Sequence, residues 1–462
     1  MNPKMADEPL PLKRILQIGI SVGIIAGLGA LLFFKGVELG SQFILTHLLG
    51  YAFPAEGMAF ADLAGWTAPA SLFLILPVLM LGALISGLIV WKFAPEAEGH
   101  GTDAALKAYH GDGKIRWRVP IVKAVSSIIT ISTGGSAGCE GPAAQISAGF
   151  GSIISDIFHL SPRERKIAIA VGIGAGVGAI FKAPLGGAIL AAEILYLRDF
   201  RYDVILPSFI ASVTGYGIFG LFEGYTPLFG TIAMFWSVGQ LPLFILLGIL
   251  SAGVGILYIK SFYGTKKIFD RAAARYHIPK FLKPVIGAGI IGLTVILLGL
   301  ISPEAFLIGL GSLGTGYGFV QLSLYNLLPF GVLLFLPLAK ILATSLTIGS
   351  GASGGVFAPG LSIGGFTGGA FGLGMHLLLP DLVALSAVPI FVIIGMIAVF
   401  GGVAHAPVAV LIMVLEMTGS FSLVIPAILA VAVSCLLMKN ITIFKQQRIS
   451  REDNRLPEEI GR

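Results

Sequence analysis

A glutamate at a predicted helix start has the clearest capacity for chemistry in this chain. Glu140 comes directly before Gly141 and Pro142, at the end of the glycine-rich run GGSAGCEGP at 134–142. Proline suits the first turn of a helix, and glycine lets the preceding backbone aim its N–H groups at a ligand. Because helix N-termini favour anions, the pattern predicts an anion site. An ionised Glu140 would occupy that site, and a protonated one would admit the anion.

The second half of the chain repeats this pattern in the same order. The run GASGGVFAP at 351–359 again leads through glycines to a proline and an apolar segment. Each run is followed by a basic residue, an alanine and a proline, at 182–184 and at 405–407. A glutamate lies nine residues beyond each of these prolines, Glu193 and Glu416. Duplicated halves with interrupted helices are typical of membrane transport proteins whose site lies between the repeats.

The composition indicates that lipid surrounds most of the chain. Of its 462 residues, 56% are hydrophobic and 12% are charged, and the mean hydropathy is +0.92. Soluble domains carry about 25% charged residues. Backbone groups inside a bilayer must bond to one another, which leaves helices or closed barrels, and the long apolar runs lack the two-residue alternation of a barrel. We therefore expect an all-α polytopic membrane protein.

Clusters of basic residues predict the orientation of the chain. They precede the first apolar run, lie between the halves and follow the last apolar run, and positive residues stay cytoplasmic. This accounts for the clusters better than nucleic-acid or acidic-lipid binding does, so no nucleic-acid partner is expected. We predict a multi-pass protein of the cell inner membrane or plasma membrane with both termini cytoplasmic. Its predicted sections are a cytoplasmic N-terminus, a first membrane half, a cytoplasmic basic linker, a second membrane half and a cytoplasmic tail, at 1–14, 15–259, 260–284, 285–438 and 439–462.

Some apolar segments are too short to cross a bilayer, which takes about 20 residues. The segments 185–196 and 408–418 are the clearest cases, and we predict that they are buried or re-entrant. The run at 15–34 is too long for a signal peptide and is predicted to be the first retained helix. With only Cys139 and Cys435 in so long a chain, no disulfide framework is expected.

The two signatures resemble those of the CLC family of chloride channels and transporters. The stretches GCEGP at 138–142 and GVFAP at 355–359 match its G-x-E-G-P and G-x-F-x-P signatures. Lys123, seventeen residues before Glu140, stands where the family commonly has a lysine. The resemblance covers roughly 15–438. It implies a homodimer in membrane lipid, with one pore per subunit and each subunit built from two inverted-topology halves of tilted, partly discontinuous helices.

The resemblance also implies roles for individual residues. Glu140 corresponds to the family's external gate and proton acceptor. The backbone N–H groups of Val356 and Phe357 correspond to those that line the central anion site, and Gly141 and Ala358 fall at the outer positions. The implied partners are chloride, other small anions and protons, with no cofactor and no metal. Backbone donors suit this role because conduction requires binding that is favourable but reversible.

Two positions depart from the family at the side-chain donors to the central anion. The family's first signature usually reads G-S-G-I-P, and the matching stretch here is GHGTD at 99–103, with His100 in place of the serine. The tyrosine that completes the site from the C-terminal end corresponds to Phe444. His100 either donates an N–H in place of the hydroxyl or caps a helix. The missing hydroxyl at Phe444 predicts weaker or less selective binding.

A third departure concerns protons. Exchangers of the family usually carry an inward-facing glutamate directly after the residue that matches Glu193, and this chain has Ile194 there. Glu193 and Glu416 are themselves predicted to cap helices or brace an interface. The leading hypothesis is a chloride/proton antiporter in which protons reach Glu140 through water. The alternative is a passive chloride channel of the voltage-gated type, because Ile194 cannot carry a proton.

Two other functions find little support in the sequence. The histidines at 100, 110, 376 and 405 form no H-E-x-x-H motif, and no G-x-S-x-G nucleophile pattern accompanies them, so an enzyme is not expected. A fluoride-selective relative is not expected either, because the G-x-E-G-P signature is intact and the first signature does not point that way.

Overall fold

The computed structural model describes residues 10–50, 54–66, 72–230 and 234–459. The regular secondary structure in these ranges is helical. Eighteen α-helices and a few short turns of other helix types lie in these ranges, with no β-strand among them. Between residues 10 and 230 lie α1 (Leu12–Ser41), α2 (Phe60–Ala64), α3 (Ile75–Phe93), α4 (Thr102–His110), α5 (Arg118–Ser132), α6 (Glu140–Ile157), α7 (Pro162–Ile180), α8 (Pro184–Glu193) and α9 (Tyr202–Glu223). Between residues 234 and 459 lie α10 (Leu241–Tyr276), α11 (Lys283–Ile301), α12 (Pro303–Ser312), α13 (Tyr317–Leu324), α14 (Phe330–Thr347), α15 (Phe357–Leu378), α16 (Val388–Ala404), α17 (Pro407–Thr418) and α18 (Val424–Met438).

Nine helical segments of the described chain are long and apolar enough to cross a membrane. They are α3, α9, α14 and α15, together with α1, α10, α11, α16 and α18 and their adjoining turns. α16 is buried along its whole length, whereas more than half of the residues of α11 and of α18 are partly or fully exposed. An apolar helix with an exposed apolar face is satisfied by lipid, and one that is apolar all round belongs in the interior. The protein is therefore a multi-pass helical membrane protein with α16 near its centre.

Some helix limits differ from the sequence prediction. A π-helical turn (Gln42–Leu48) extends the first helix well past the predicted end at 34. Most of the basic residues assigned to a linker at 260–284 instead continue α10 to Tyr276. Lysine, arginine and alanine are good helix formers, so this helix ends only where His277 adopts a left-handed conformation with φ 55°. The predicted division of the chain into sections stays a prediction.

The sequence did not predict two short helices, α4 and α13. They contain nine and eight residues, which is too few to give a recognisable apolar period. Residues 1–9 and 460–462 of the predicted cytoplasmic ends lie outside the described residues. The side of the membrane on which each terminus lies also stays a prediction.

Two long apolar stretches break into helix pairs at matching points. Lys182 separates α7 from α8 with φ 54°, and His405 separates α16 from α17 with φ 49°. Each of these left-handed residues is followed by an alanine and by the proline that begins the next helix. The resulting helices, α8 of 10 residues and α17 of 12 residues, match the short buried segments that the sequence predicts.

α8 and α17 pack against each other and exchange glutamate caps. Glu193, at the end of α8, accepts hydrogen bonds from the backbone N–H groups at 408–409, at 3.2 and 2.7 Å. Glu416, near the end of α17, accepts hydrogen bonds from the N–H groups at 185–186, at 3.1 and 2.8 Å. These N–H groups have no acceptor within their own helices. Both glutamates are thus helix caps, as the sequence predicts.

Candidate functional site

Four glycine-rich loops meet inside the molecule, and each leads directly into a helix. They are 97–101 before α4, 134–139 before α6, 313–316 before α13 and 351–356 before α15. Backbone hydrogen bonds join them in pairs, since the Gly354 N–H donates to the Gly99 oxygen at 3.2 Å and the Gly314 N–H donates to the Gly134 oxygen at 3.1 Å. The N-terminal ends of the four helices therefore come close together. Partial positive charge accumulates at such ends, which favours an anion between them.

The loops of the two signatures cross at Gly138 and Gly355. Each glycine donates its N–H to the other's carbonyl oxygen, at 2.8 and 2.7 Å. A Cβ at Gly138 would lie 2.3 Å from Glu140 Oε2, and one at Gly355 would lie 2.8 Å from the Gly138 oxygen. No side chain fits at either position without a backbone shift. The glycines thus bring the first turns of α6 and α15 into contact.

Glu140 begins α6 and is 2% exposed. Its Oε1 accepts a hydrogen bond from the Tyr317 hydroxyl at 2.9 Å, and its Oε2 accepts one from the backbone N–H of Ala358 at 3.2 Å. Tyr317 is the first residue of α13, and Ala358 lies in the first turn of α15. The carboxylate therefore lies where two helices of the other half begin, and uses donors that would also suit a bound anion.

The predicted central donors lie at the start of α15. Val356 is the N-cap and Phe357 is the first helical residue. The first hydrogen bond of the helix runs from the Gly360 N–H to the Val356 oxygen, at 3.1 Å. The N–H groups of Val356 and Phe357 therefore have no acceptor within the helix. The Tyr258 hydroxyl donates to the same carbonyl oxygen at 3.1 Å. This second hydrogen bond holds the Val356 carbonyl group, and with it the start of α15, in position.

His100 and Phe444 come together as the sequence predicts for two residues of one site. Their ring centroids are 5.7 Å apart, and both side chains are buried. A Cβ at Gly141 would lie 2.2 Å from the His100 oxygen, which places His100 against the first turn of α6. Gly101 is the N-cap of α4, and the His100 Nε2 lies 3.3 Å from Asp103 Oδ2. The His100 ring thus contacts an acidic side chain of α4.

Two buried lysines hold the loops in place. Lys123 Nζ of α5 donates to the carbonyl oxygens of Ala97 and Gly99, at 3.1 and 2.6 Å. Lys340 Nζ of α14 donates to the carbonyl oxygens of residues 312–314, at 3.1, 3.0 and 2.7 Å. Each ammonium group thus satisfies two or three carbonyl oxygens at a loop that leads into a helix.

A cavity of about 600 Å³ reaches Cys139, the residue directly before Glu140. Cys139, Glu56 and Lys182 are among the residues that line it. The Gly57 N–H donates to Gln321 Oε1 at 3.1 Å, which ties the loop that carries Glu56 to α13. Burial raises the pKa of the Glu56 carboxyl above its ordinary value, and Lys182 acts in the opposite direction. Glu38 and Glu223 also line the cavity, so its described lining holds three acidic groups and one basic group.

Three residues that make hydrogen bonds at or near the site were not predicted from the sequence. Tyr317, which binds Glu140, follows Gly314 and Gly316 much as α4 follows its glycines, so the internal repeat gave a usable signal. Lys340 stands seventeen residues before Phe357, the same spacing as Lys123 to Glu140. Gln447 gave no signal, because its Nε2 bonds to the carbonyl oxygens of residues 194 and 404, which are distant in sequence, both at 3.1 Å.

Metal ligation finds no support among the described side chains. No group of three histidine, cysteine, aspartate or glutamate residues is placed there to hold an ion. Both cysteines are free thiols. The donors that converge on the centre are instead backbone N–H groups and one hydroxyl, which suit an anion.

The fold and this site define a membrane protein of two repeated halves with a buried carboxylate among converging helix starts. This is the architecture of transport proteins whose binding site lies at the interface of the repeats. The chain belongs to the voltage gated chloride channel family, whose model matches residues 82–439.

Individual relatives agree with this membership. The chain is 31% identical over 437 residues to the H(+)/Cl(-) exchange transporter ClcA of Yersinia pestis bv. Antiqua (strain Angola), a match that covers 91% of this chain and 83% of the relative. Among solved structures, a slow cyanobacterial Cl-/H+ antiporter superposes with a TM-score of 0.75 at 24% identity, over 94% of this chain and 95% of the other. A CLC-type fluoride/proton antiporter superposes with a TM-score of 0.75 at 20% identity, over 94% and 98% of the two chains. The two structures establish the shared fold.

Proposed function

We propose that the protein exchanges chloride for protons across the membrane, with Glu140 as both the gate and the proton acceptor. One observation carries the proposal, namely that the Glu140 carboxylate accepts hydrogen bonds from the Ala358 N–H and the Tyr317 hydroxyl. An ionised carboxylate in this position excludes an anion from the same donors. Protonation removes its charge and weakens its hold on the donors, so that chloride replaces it. The ionised Glu140 carboxylate and chloride thus compete for one set of donors, and protonation of Glu140 is linked to the binding of chloride.

Chloride would be held further inward by the backbone N–H groups of Val356 and Phe357, with the N–H groups of Gly141 and Ala358 at the outer position. His100 and Phe444 would complete the central site from the other side. Phe444 offers an apolar edge and no hydroxyl, so His100 is the side-chain donor of the pair. Weakly charged donors suit transport because the anion must also leave.

Membership of the family and the similarity to a ClcA exchange transporter favour exchange over other activities. The family resemblance also favours a homodimer with one pore per subunit. We further propose an inner or plasma membrane location with both termini in the cytoplasm, because the basic clusters at the chain ends and along the C-terminal part of α10 fit that orientation.

A passive chloride channel is the second candidate, and Ile194 favours it. This side chain is 1% exposed and purely hydrocarbon, so it relays no proton. Gln447 Nε2 donates to the backbone oxygen of Ile194 at 3.1 Å, and this amide does not titrate either. In the exchanger, protons would instead reach Glu140 along water from the cytoplasmic side.

Proton movement against a gradient separates the two candidates. The purified protein is placed in liposomes with a chloride gradient and no proton gradient, and external pH is recorded. The exchanger is expected to drive protons uphill as chloride runs down, and a protonophore should abolish the resulting pH difference. Brisk chloride conduction with a reversal potential set by chloride alone would refute exchange and leave the channel.

A further inference from the structure

The ring of His100 has one nitrogen in use and one without a partner. His100 lies between Gly99 and Gly101, both with positive φ of 80° and 86°, and its side chain is 7% exposed. Its Nε2 lies 3.3 Å from Asp103 Oδ2. Its Nδ1 is buried and makes no hydrogen bond within the described part of the chain. A buried polar atom left unpaired is destabilising, so this nitrogen calls for a ligand or a water molecule.

The surroundings of His100 favour an anion as that ligand. The His100 carbonyl lies against Gly141 in the first turn of α6. The Gly354 N–H donates to Gly99 at 3.2 Å, and α4 begins directly after Gly101. The residue is therefore wedged among the N-terminal ends of α4, α6 and α15. A bare nitrogen is an acceptor, however, and repels an anion unless it carries a proton.

The charges that face His100 determine whether it can take up that proton. Asp103 is the nearest, and its Oδ1 is fixed by the backbone N–H of Gln446 at 3.1 Å. Lys123 is committed to the carbonyl oxygens of the loop before α4. The rings of Phe262 and Phe444 also pack against His100, with centroids 6.2 and 5.7 Å away. An aspartate is thus the acidic partner of the ring.

We propose that His100 is a proton-linked anion ligand, which takes up one proton on Nδ1 when chloride binds beside it. In the empty site the ring is neutral, with its Nε2–H directed to the Asp103 carboxylate. On binding, a hydronium ion of the solvent gives its proton to Nδ1 and becomes water, and the new Nδ1–H donates to the anion. Asp103 acts as a positioning residue that stabilises the positive ring. The inference rests on the proposed function and deepens it, since it supplies a proton-binding group on the pathway of a chain with isoleucine at 194.

Thermodynamic linkage gives the proposal a measurable form. If chloride promotes protonation of His100, protonation must promote chloride binding by the same factor. As pH rises, chloride affinity then falls by up to about tenfold per pH unit over the range in which the proton is taken up on binding. Glu140 adds a linkage of the same sign, because its protonation frees the outer donors. The test therefore uses the Glu140→Gln protein, in which that contribution is absent.

Calorimetry of chloride binding to detergent-solubilised protein tests the proposal. Titrations at about pH 5.5, 7 and 8.5, in buffers of different ionisation enthalpy, give both the affinity and the number of protons taken up. Glu140→Gln is expected to take up as much as about one proton per chloride. Adding His100→Gln should abolish this uptake and make the affinity independent of pH. Adding Asp103→Asn should move the uptake to lower pH.

A matched control and a second variant keep the outcome decisive. His376, whose Nδ1 already contacts the Val383 oxygen at 2.8 Å, is changed to glutamine in the same background and should leave the uptake unchanged. His100→Ser introduces a hydroxyl donor that does not titrate, so chloride should bind without proton uptake. Binding by Glu140→Gln without proton uptake, or uptake that survives His100→Gln, would overturn the proposal. If uptake is lost with His100 but the wild type pumps no protons in liposomes, the inference stands and the exchange function fails.

Discussion

Lys123 and Lys340 perform the same task in the two halves of the protein. Each stands seventeen residues before the first residue of a signature helix, Glu140 or Phe357. Each is fully buried, and within the described chain its Nζ donates to backbone carbonyl oxygens in, or directly before, the loop that leads into a short helix. A charge buried in this way is costly unless it is fully hydrogen-bonded. The pair therefore holds the two sides of the site by the same means.

Removing either lysine should loosen the loops. Lys340→Met leaves three carbonyls without their donor and Lys123→Met leaves two, at a cost of about 1–3 kcal/mol for each. We expect both variants to unfold at lower temperature than the wild type, with Lys340→Met the more affected. Thermal unfolding in detergent, followed by tryptophan fluorescence, measures this. The exposed Lys107→Met serves as control, and equal midpoints for all three variants would contradict the prediction.

Glu140→Gln should uncouple the two ions. Glutamine mimics the protonated gate, so chloride flux is expected to persist while proton movement stops. Parallel recordings of chloride efflux and pH in liposomes measure both. Glu416→Gln removes another buried carboxylate, one that caps α8, and should retain proton coupling. Normal proton pumping by Glu140→Gln would show that the gate and proton site lie elsewhere.

Phe444→Tyr should tighten chloride binding. The added hydroxyl would donate to the anion from the side opposite the start of α15. A hydrogen bond to a charged group contributes about 1.5–3 kcal/mol, and about 1.4 kcal/mol corresponds to a factor of ten in affinity. Calorimetry should therefore register a gain of about tenfold or more. An unchanged affinity, alongside an unchanged Phe371→Tyr control, would mean that the ring edge of Phe444 does not face the anion.

Glu56 should make the cavity that it lines sensitive to pH. Because burial raises the pKa of this carboxyl, its neutral form persists to a higher pH than in an ordinary glutamate. Below that pKa the group is uncharged, and above it the carboxylate repels chloride and offsets Lys182. We expect the rate of Glu56→Gln relative to wild type to rise with external pH, measured as chloride flux into liposomes. Glu38→Gln, on the same cavity but paired with Lys35 at 2.7 Å, should show no such trend.

Much of the fold and part of the site could be predicted from local patterns. Glycine followed by proline marks helix starts because each residue has a distinct backbone requirement, and this predicted the helix start at Glu140 and a helix after the 351–359 run, where α6 and α15 begin. The short helices α8 and α17 followed from apolar length. The end of α10 was missed because basic residues mark a membrane boundary without ending a helix. α4 and α13 were too short to show a period.

The sequence by itself determined that this is a helical membrane protein of two similar halves, because composition and repeated glycine–proline runs act locally. It also supplied Glu140 and the departures at His100, Phe444 and Ile194. Only the tertiary structure decided that Tyr317 binds Glu140 and that Asp103 faces His100. It also decided that the C-terminal segment carries Phe444 and Gln447 into the interior. Such pairings depend on how distant loops are brought together, and no local periodicity encodes that arrangement.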